Sequence, residues 1–266
     1  MMLCGSAESD NPFFAFDNGV GRGEWSPDQQ AKTLADLGYA GIGYTGTENL
    51  EKRLAAFEKH GVNVFNLYVP CYVDQDPPYS QDLVQAIERL KGTDVDLWLT
   101  VQGAAQDDTN AVQVVSEIAD LAAASGLRVA LYPHTGFFVA DINDALRVTK
   151  QVRRPNVGVT FNLCHELRAG NEARFNELLD NAAPHLFLVS INGADHEGDW
   201  DRLIRPLGDG EFDVYQLLTK LRSIDYAGPI GLQCYAVKGD QEENLKKSIA
   251  QWNAYRARLA EEPVKE

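Results

Sequence analysis

The groups in this chain best suited to moving a proton are the imidazoles of His134 and His165 and the carboxylates of Asp17, Glu166, Asp195 and Glu211. A neutral imidazole can take or give a proton near pH 7, or donate a hydrogen bond to a ligand oxygen. Neutral amides and phenols stand at the ends of short apolar runs: Tyr68, Gln102, Tyr132, Asn162, Asn192 and Gln233. Amides pair with hydroxyls and aromatic faces stack on C–H surfaces, so the mixture suits a small polyhydroxylated ligand. Any one of these amides can equally bond a neighbouring loop; it is the set that points to a ligand. Arg205 is suited to pairing either with an anionic sugar group or with a nearby carboxylate. Cys4, Cys71, Cys164 and Cys234 are scattered, in neither a disulfide framework nor a metal-binding spacing.

The elements that must position these groups alternate. Short apolar runs are predicted as strands from Phe13 to Asp17, Ala40 to Tyr44, Val62 to Val69, Asp96 to Val101, Arg128 to Tyr132, Val157 to Asn162, Leu186 to Asn192 and Ile230 to Tyr235. Helical periods separate them. Ser26 followed by Pro27 marks one helix start, and Gly126 stops another that begins near Asp108. After the third strand a Pro- and aromatic-rich loop is expected from Pro70 to Tyr79. After the sixth, a helix is expected from about Asn171 to Asn181. Near-continuous apolar strands in β-then-α order require parallel pairing with both sheet faces covered. Eight such units predict a single-domain α/β fold, a (β/α)₈ TIM barrel over residues 11–266. An open doubly wound sheet is disfavoured because no Gly-rich phosphate loop follows the first strand. Residues 1–10 are expected to be a flexible segment, either a frayed start or the remnant of an export signal. In such a barrel, chemistry belongs to the carboxyl ends of the strands, where the residues named above fall.

With 24 Lys and Arg against 39 Asp and Glu, the formal net charge is −15. Nucleic acid and anionic membrane surfaces need clustered cations. The nearest candidate, Arg153-Arg154, is cut off by Pro155. No run approaches the ~20 apolar residues of a membrane span. The expected partner is a small-molecule carbohydrate, and both a cytoplasmic and an exported location stay open.

Three segments then carry a family likeness: Val129-Ala130-Leu131-Tyr132-Pro133-His134, Phe161-Asn162-Leu163-Cys164-His165, and Pro206-Leu207-Gly208-Asp209-Gly210-Glu211-Phe212-Asp213. In this order and spacing the chain resembles the xylose isomerase-like superfamily of sugar isomerases, epimerases and family-2 apurinic endonucleases. The resemblance implies one divalent cation held by Glu, Asp, His and Glu on strands five to eight. Those positions correspond here to Tyr132, Asn162, Ser190 and Gln233, all neutral. Hard cations are held by anionic oxygen, so no metal ligand is assigned. The resemblance also places His134 and His165 near the substrate. Catalytic roles are therefore expected for His134, His165 and Asp195, and ligand binding for Asp17, Tyr68, Gln102, Tyr132, Asn162, Asn192, Arg205 and Gln233. Three functions fit: a carbohydrate isomerase, epimerase or lyase working through His and Asp; a non-catalytic carbohydrate-binding protein; or an ordinary metalloenzyme using Mn, Mg or Zn through other ligands. A softer ion held by both histidines and a carboxylate belongs with the last.

Overall fold

The computed structural model describes residues 11–262, so the segment 1–10, including Cys4, lies outside the described residues. Strands β1 (Phe13–Phe16), β2 (Gly41–Thr45), β3 (Asn63–Tyr72), β4 (Asp96–Gln102), β5 (Val129–Leu131), β6 (Val157–Asn162), β7 (Leu186–Ile191) and β8 (Ile230–Leu232) follow one another around a closed barrel. All neighbours pair in parallel, and β1 closes on β8 through Phe13↔Ile230 and Ala15↔Leu232. The expected TIM barrel is the fold.

Helices pack outside the strands: α1 (Pro27–Leu37), α2 (Leu50–Lys59), α3 (Gln81–Arg89), α4 (Thr109–Ala124) and α5 (Ile142–Val152), then α6 (Leu163–Arg168), α7 (Phe175–Ala182), α8 (Trp200–Leu203), α9 (Val214–Ser223) and α10 (Gln241–Glu261). Their starts obey local chemistry. Ser26 Oγ accepts the Gln29 N–H and Asp141 accepts from Asn143 and Asp144, each supplying a donor-rich first turn with an acceptor.

Two elements depart from expectation. First, β3 runs on through Pro70 to Tyr72, pairing with β4 as far as Tyr72↔Gln102. On its other side β2 has already ended at Thr45, opposite Tyr68, so no strand there requires the N–H that proline lacks. Second, the chain turns into α6 directly from Asn162. The expected helix is shortened to α7 behind a single 3₁₀ turn, Glu172–Arg174. Gly170, at φ 73°, ends α6 in the left-handed region that glycine enters without strain.

The barrel interior is aromatic. Phe14, Phe16, Trp98 and Tyr132 pack with Ala130 and Leu188 into a cluster separate from the aliphatic layer between strands and helices. The rings fit because two strands carry no side chain there. A Cβ on Gly231 would stand 2.6 Å from Phe16 and 2.7 Å from Phe14, and one on Gly43 would stand 2.5 Å from Asn66 Oδ1. This plug is the floor on which the site is built.

Candidate functional site

A cavity of 470 Å³ opens above the plug at the carboxyl ends of the strands, within the size range of small-ligand sites. Phe16, Trp98, Tyr132 and Tyr68 form its floor, with ring centroids 4.9 Å apart for Phe16–Trp98 and for Trp98–Tyr132, and 5.1 Å apart for Tyr68–Tyr132. One wall comes from the ends of β1 and β2: Asp17, Arg22 and Thr45. The opposite wall comes from the loops after β5, β6 and β7: His134, Thr135, His165, Arg168 and Trp200. Gln233, just past β8, completes the ring.

Both predicted imidazoles face this space. Their ring centroids lie 4.2 Å apart, with Phe137 stacked on His134 at 4.1 Å and Trp200 edge-on to His165 at 5.1 Å. Residue 135 fixes their protons. His134 Nδ1 lies 3.0 Å from the Thr135 carbonyl oxygen, which can only accept, so Nδ1 carries the hydrogen and Nε2 keeps a lone pair. The Thr135 N–H donates to His165 Nδ1 at 3.1 Å, so His165 carries its hydrogen on Nε2. One ring thus offers an acceptor and the other a donor. Burial, reinforced by the neighbouring His134, pushes the pKa of His165 down to about 3; burial also lowers that of His134, against the Thr135 hydrogen bond. Desolvation penalises the cation, so both rings are neutral at physiological pH.

The positions at which relatives of the resembled family hold a cation are joined to one another instead. Ser190 Oγ donates to Asn162 Oδ1 at 2.9 Å, and the Asn162 amide hydrogen-bonds the Tyr132 phenol. Gln233 Nε2 donates to the same phenol at 3.3 Å. Gln233 Oε1 in turn accepts from Asn18 Nδ2 at 2.7 Å and from the Cys234 and Tyr235 amides. Burial raises the Tyr132 pKa well above its ordinary value, so the phenol stays neutral. Four neutral side chains, with the Asn162 and Gln233 amide oxygens already accepting from Ser190 and from Asn18 and two backbone amides, do not fit a hard dication. Among the described residues no three His, Cys, Asp or Glu side chains are grouped so as to hold a metal ion elsewhere.

Several expected site residues lie outside the cavity. Asp195 is buried and ion-paired with Arg202 at 2.7 Å and Arg205 at 3.1 Å, and it accepts the Glu211 N–H; it ties the loop after β7 to the turn at Pro206–Gly210. Asp195 is thus absent from the lining of the cavity that holds the two imidazoles, and Arg205 is paired with its carboxylate. Asn192 donates to the carbonyls of Gly193 and Leu203. Gln102 donates to Thr100, and Asn162 lies behind Tyr132. Asp17 does line the cavity, but its oxygens are taken by Arg22, Thr45 N and Thr45 Oγ1. Asp17, Tyr68, Tyr132, Gln233, His134 and His165 are the expected residues that the fold brings together at one surface. Sequence reading missed Arg22, Arg168, Thr135, Trp98 and Trp200. Arg168 and Trp200 sit in short helices that no strand-end signal marks, and Thr135 acts through its peptide, which residue type does not reveal.

Comparison with known proteins places this architecture. Residues 31–255 match the family described as xylose isomerase-like TIM barrel, and the chain belongs to that family. An uncharacterized protein of Methanocaldococcus jannaschii is 28% identical over 127 residues, 47% of this chain and 42% of that protein; the chain thus spans less than half of that relative's length. Among solved structures, the 3-keto-D-glucoside 4-epimerase of E. coli superposes with a TM-score of 0.76 at 16% identity, covering 92% of this chain and 100% of the other. The D-psicose 3-epimerase of Clostridium cellulolyticum, solved with D-tagatose, gives 0.72 at 15% identity, covering 93% and 98%. At these identities the likeness is one of fold. Among the described residues, no helix is long and apolar enough to cross a membrane.

Proposed function

We propose that the protein catalyses proton transfer at a carbon beside a carbonyl in a small saccharide or keto-sugar, giving isomerisation, epimerisation or elimination. The observation that carries this reading is the opposed pair of tautomers: a free lone pair on His134 and an N–H on His165, set by the backbone carbonyl and N–H of Thr135 at the cavity wall. His134 Nε2 takes the proton from carbon. The C–H electron pair becomes a C=C bond, and the carbonyl π pair moves to oxygen. That oxygen accepts a hydrogen bond from His165 Nε2–H; the lowered pKa keeps this ring a neutral imidazole, so it stabilises the developing charge as a hydrogen-bond donor rather than as an imidazolium. Return of the proton to the neighbouring carbon, with a proton passing between the two enediol oxygens, completes an isomerisation. Delivery to the opposite face of the same carbon completes an epimerisation, and departure of a β-hydroxyl as water completes an elimination. The aromatic floor and Gln233 suit the C–H faces and hydroxyls of a sugar.

The test is deuterium wash-in. Keto-sugars are incubated with the protein in D₂O and the carbon-bound proton is followed by NMR. Exchange should occur with the native chain and be lost in His134→Ala. His165→Ala should slow it by about 100-fold, the ordinary cost of one positioned donor. Exchange that persists undiminished in both variants would sink the mechanism, and saturable saccharide binding without exchange would assign a binding role instead.

A further inference from the structure

The cavity's charge runs against that of the molecule. The chain carries −15 overall, yet the formally charged groups lining this cavity are one acid, Asp17, and two bases, Arg22 and Arg168, while the two imidazoles are neutral. The acid is turned inward. Its side chain is 3% exposed, and its oxygens accept from Thr45 N at 3.0 Å, Thr45 Oγ1 at 3.0 Å and Arg22 Nη2 at 2.5 Å. The Arg22 side chain is 44% exposed. It uses only Nη2, shared between Asp17 and Thr45 Oγ1; among the described residues, Nε and Nη1 have no hydrogen-bond partner.

Arg168 is arranged likewise on the facing wall. Its Nη1 reaches the Gly198 carbonyl at 2.7 Å and Asp199 at 3.2 Å, the guanidinium lies 5.6 Å from the centre of the Trp200 ring, and its other nitrogens bond no described residue. Trp200 touches His165 edge-on, so this arginine sits beside the proton-transfer pair, while Arg22 stands across the cavity.

A guanidinium fork matches the planar oxygens of a carboxylate or phosphate. Low-dielectric walls such as Phe16, Trp98 and Tyr132 strengthen its field in the space between. An ion pair whose arginine is this exposed contributes little to stability; here it holds a cation with spare donors at the mouth of a pocket.

We propose that the ligand of this cavity is an anionic sugar derivative, bearing a carboxylate or phosphate that engages Arg22, Arg168 or both. The inference deepens the saccharide reading above and rests on it for the sugar part only.

Calorimetric titration of the full chain with D-glucuronate, D-glucose 6-phosphate, D-glucose, acetate and inorganic phosphate tests it. At least one sugar anion should bind tenfold or more tightly than glucose. Glucuronate and glucose 6-phosphate separate the two anion chemistries. Arg168→Gln, whose partner Asp199 is exposed, or the charge-neutral double variant Asp17→Asn with Arg22→Gln should remove about tenfold of that preference, read as the ratio of sugar-anion to glucose affinity in the same variant. Glucose binding as tightly as both sugar anions, or a preference intact in both variants, overturns the anionic class and leaves the saccharide reading standing. Arginine-dependent binding of acetate or phosphate as tight as the sugar anions keeps the anion site and removes the sugar. No binding by any of the five probes overturns the proposal outright.

Discussion

The imidazoles of His134 and His165 lie 4.2 Å apart, inclined at 42°, with the backbone of one residue, Thr135, bonded to both Nδ1 atoms through its carbonyl and its N–H. Two such rings in water would each sample both tautomers; here each is confined to one, and the two are opposite. Because burial lowers the pKa of His134, the base is already deprotonated near neutral pH. The acidic limb of the pH–rate profile should therefore bend below 6.5, the ordinary histidine value. His165, pushed down to about 3, should add no inflection in the neutral range. Initial rates measured across the acid range check this, and an inflection above 6.5 would contradict it.

The backbone N–H and carbonyl of residue 135, rather than its side chain, set these protons. Thr135 Oγ1 also approaches His165 Nδ1, at 3.0 Å, but the backbone N–H reaches the same atom. Thr135→Ala should thus cost no more than one neutral hydrogen bond, about 1 kcal/mol or roughly fivefold in kcat/KM. A loss as large as that of His165→Ala would show that the hydroxyl is the working group.

How much of this was legible in the sequence depends on what each residue acts through. The barrel was readable because parallel strands buried on both faces are written as apolar runs, and because Ser26 and Gly126 punctuate helices by purely local bonds. His134 and His165 were readable as residue types at the expected strand ends. Arg22 and Arg168 were not: an arginine in a loop looks the same whether it faces solvent or a pocket, and only the fold brings Asp17 and Thr45 to grip Arg22. The placement of Asp195 outside the cavity was hidden for the same reason. A carboxylate just past a strand end fits a catalytic acid, but Arg202 and Arg205 come back along the chain to claim it.

Asp195→Ala should therefore act on stability. Its carboxylate, held below the usual range by Arg202 and then Arg205, joins the loop after β7 to the turn before α9, and it is also the acceptor for Glu211 N. The variant should melt a few degrees lower, as followed by circular dichroism, with kcat at low temperature close to native. A loss of turnover with an unchanged melting temperature would restore Asp195 to the chemistry.

The neutral chain Ser190–Asn162–Tyr132–Gln233 carries a further expectation. At the positions where the family resemblance implies carboxylates on a cation, neutral side chains are hydrogen-bonded in a chain, so extended treatment with EDTA should change neither melting temperature nor turnover. Purified protein should contain well under one equivalent of Mn, Mg or Zn by elemental analysis. Near-stoichiometric metal that is lost together with activity would overturn the reading of this donor set.

Glu166 offers the last test, this time of the scaffold. It is fully buried at the start of α6, accepts the Ile142 N–H at 2.7 Å and Asn171 Nδ2 at 2.8 Å, and lies near Asp141 and Asp144. Burial pushes its pKa up to about 8, more than its two hydrogen bonds pull it down. In the unfolded chain the group ionises near 4.5. Between those values the folded protein holds a proton that the unfolded chain has released, so stability falls as pH rises, with a slope of at most about 1.4 kcal/mol per pH unit. His165 works in the other direction: its depressed pKa makes stability rise with pH between about 3 and 6.5, which opposes Glu166 wherever the two windows overlap. The Glu166 slope should therefore stand clear only above 6.5. Urea denaturation of the native chain and of Glu166→Gln across that range isolates it. The variant should lose stability less steeply toward pH 8, and parallel curves would show that Glu166 is ionised in the fold, held by Ile142 N and Asn171.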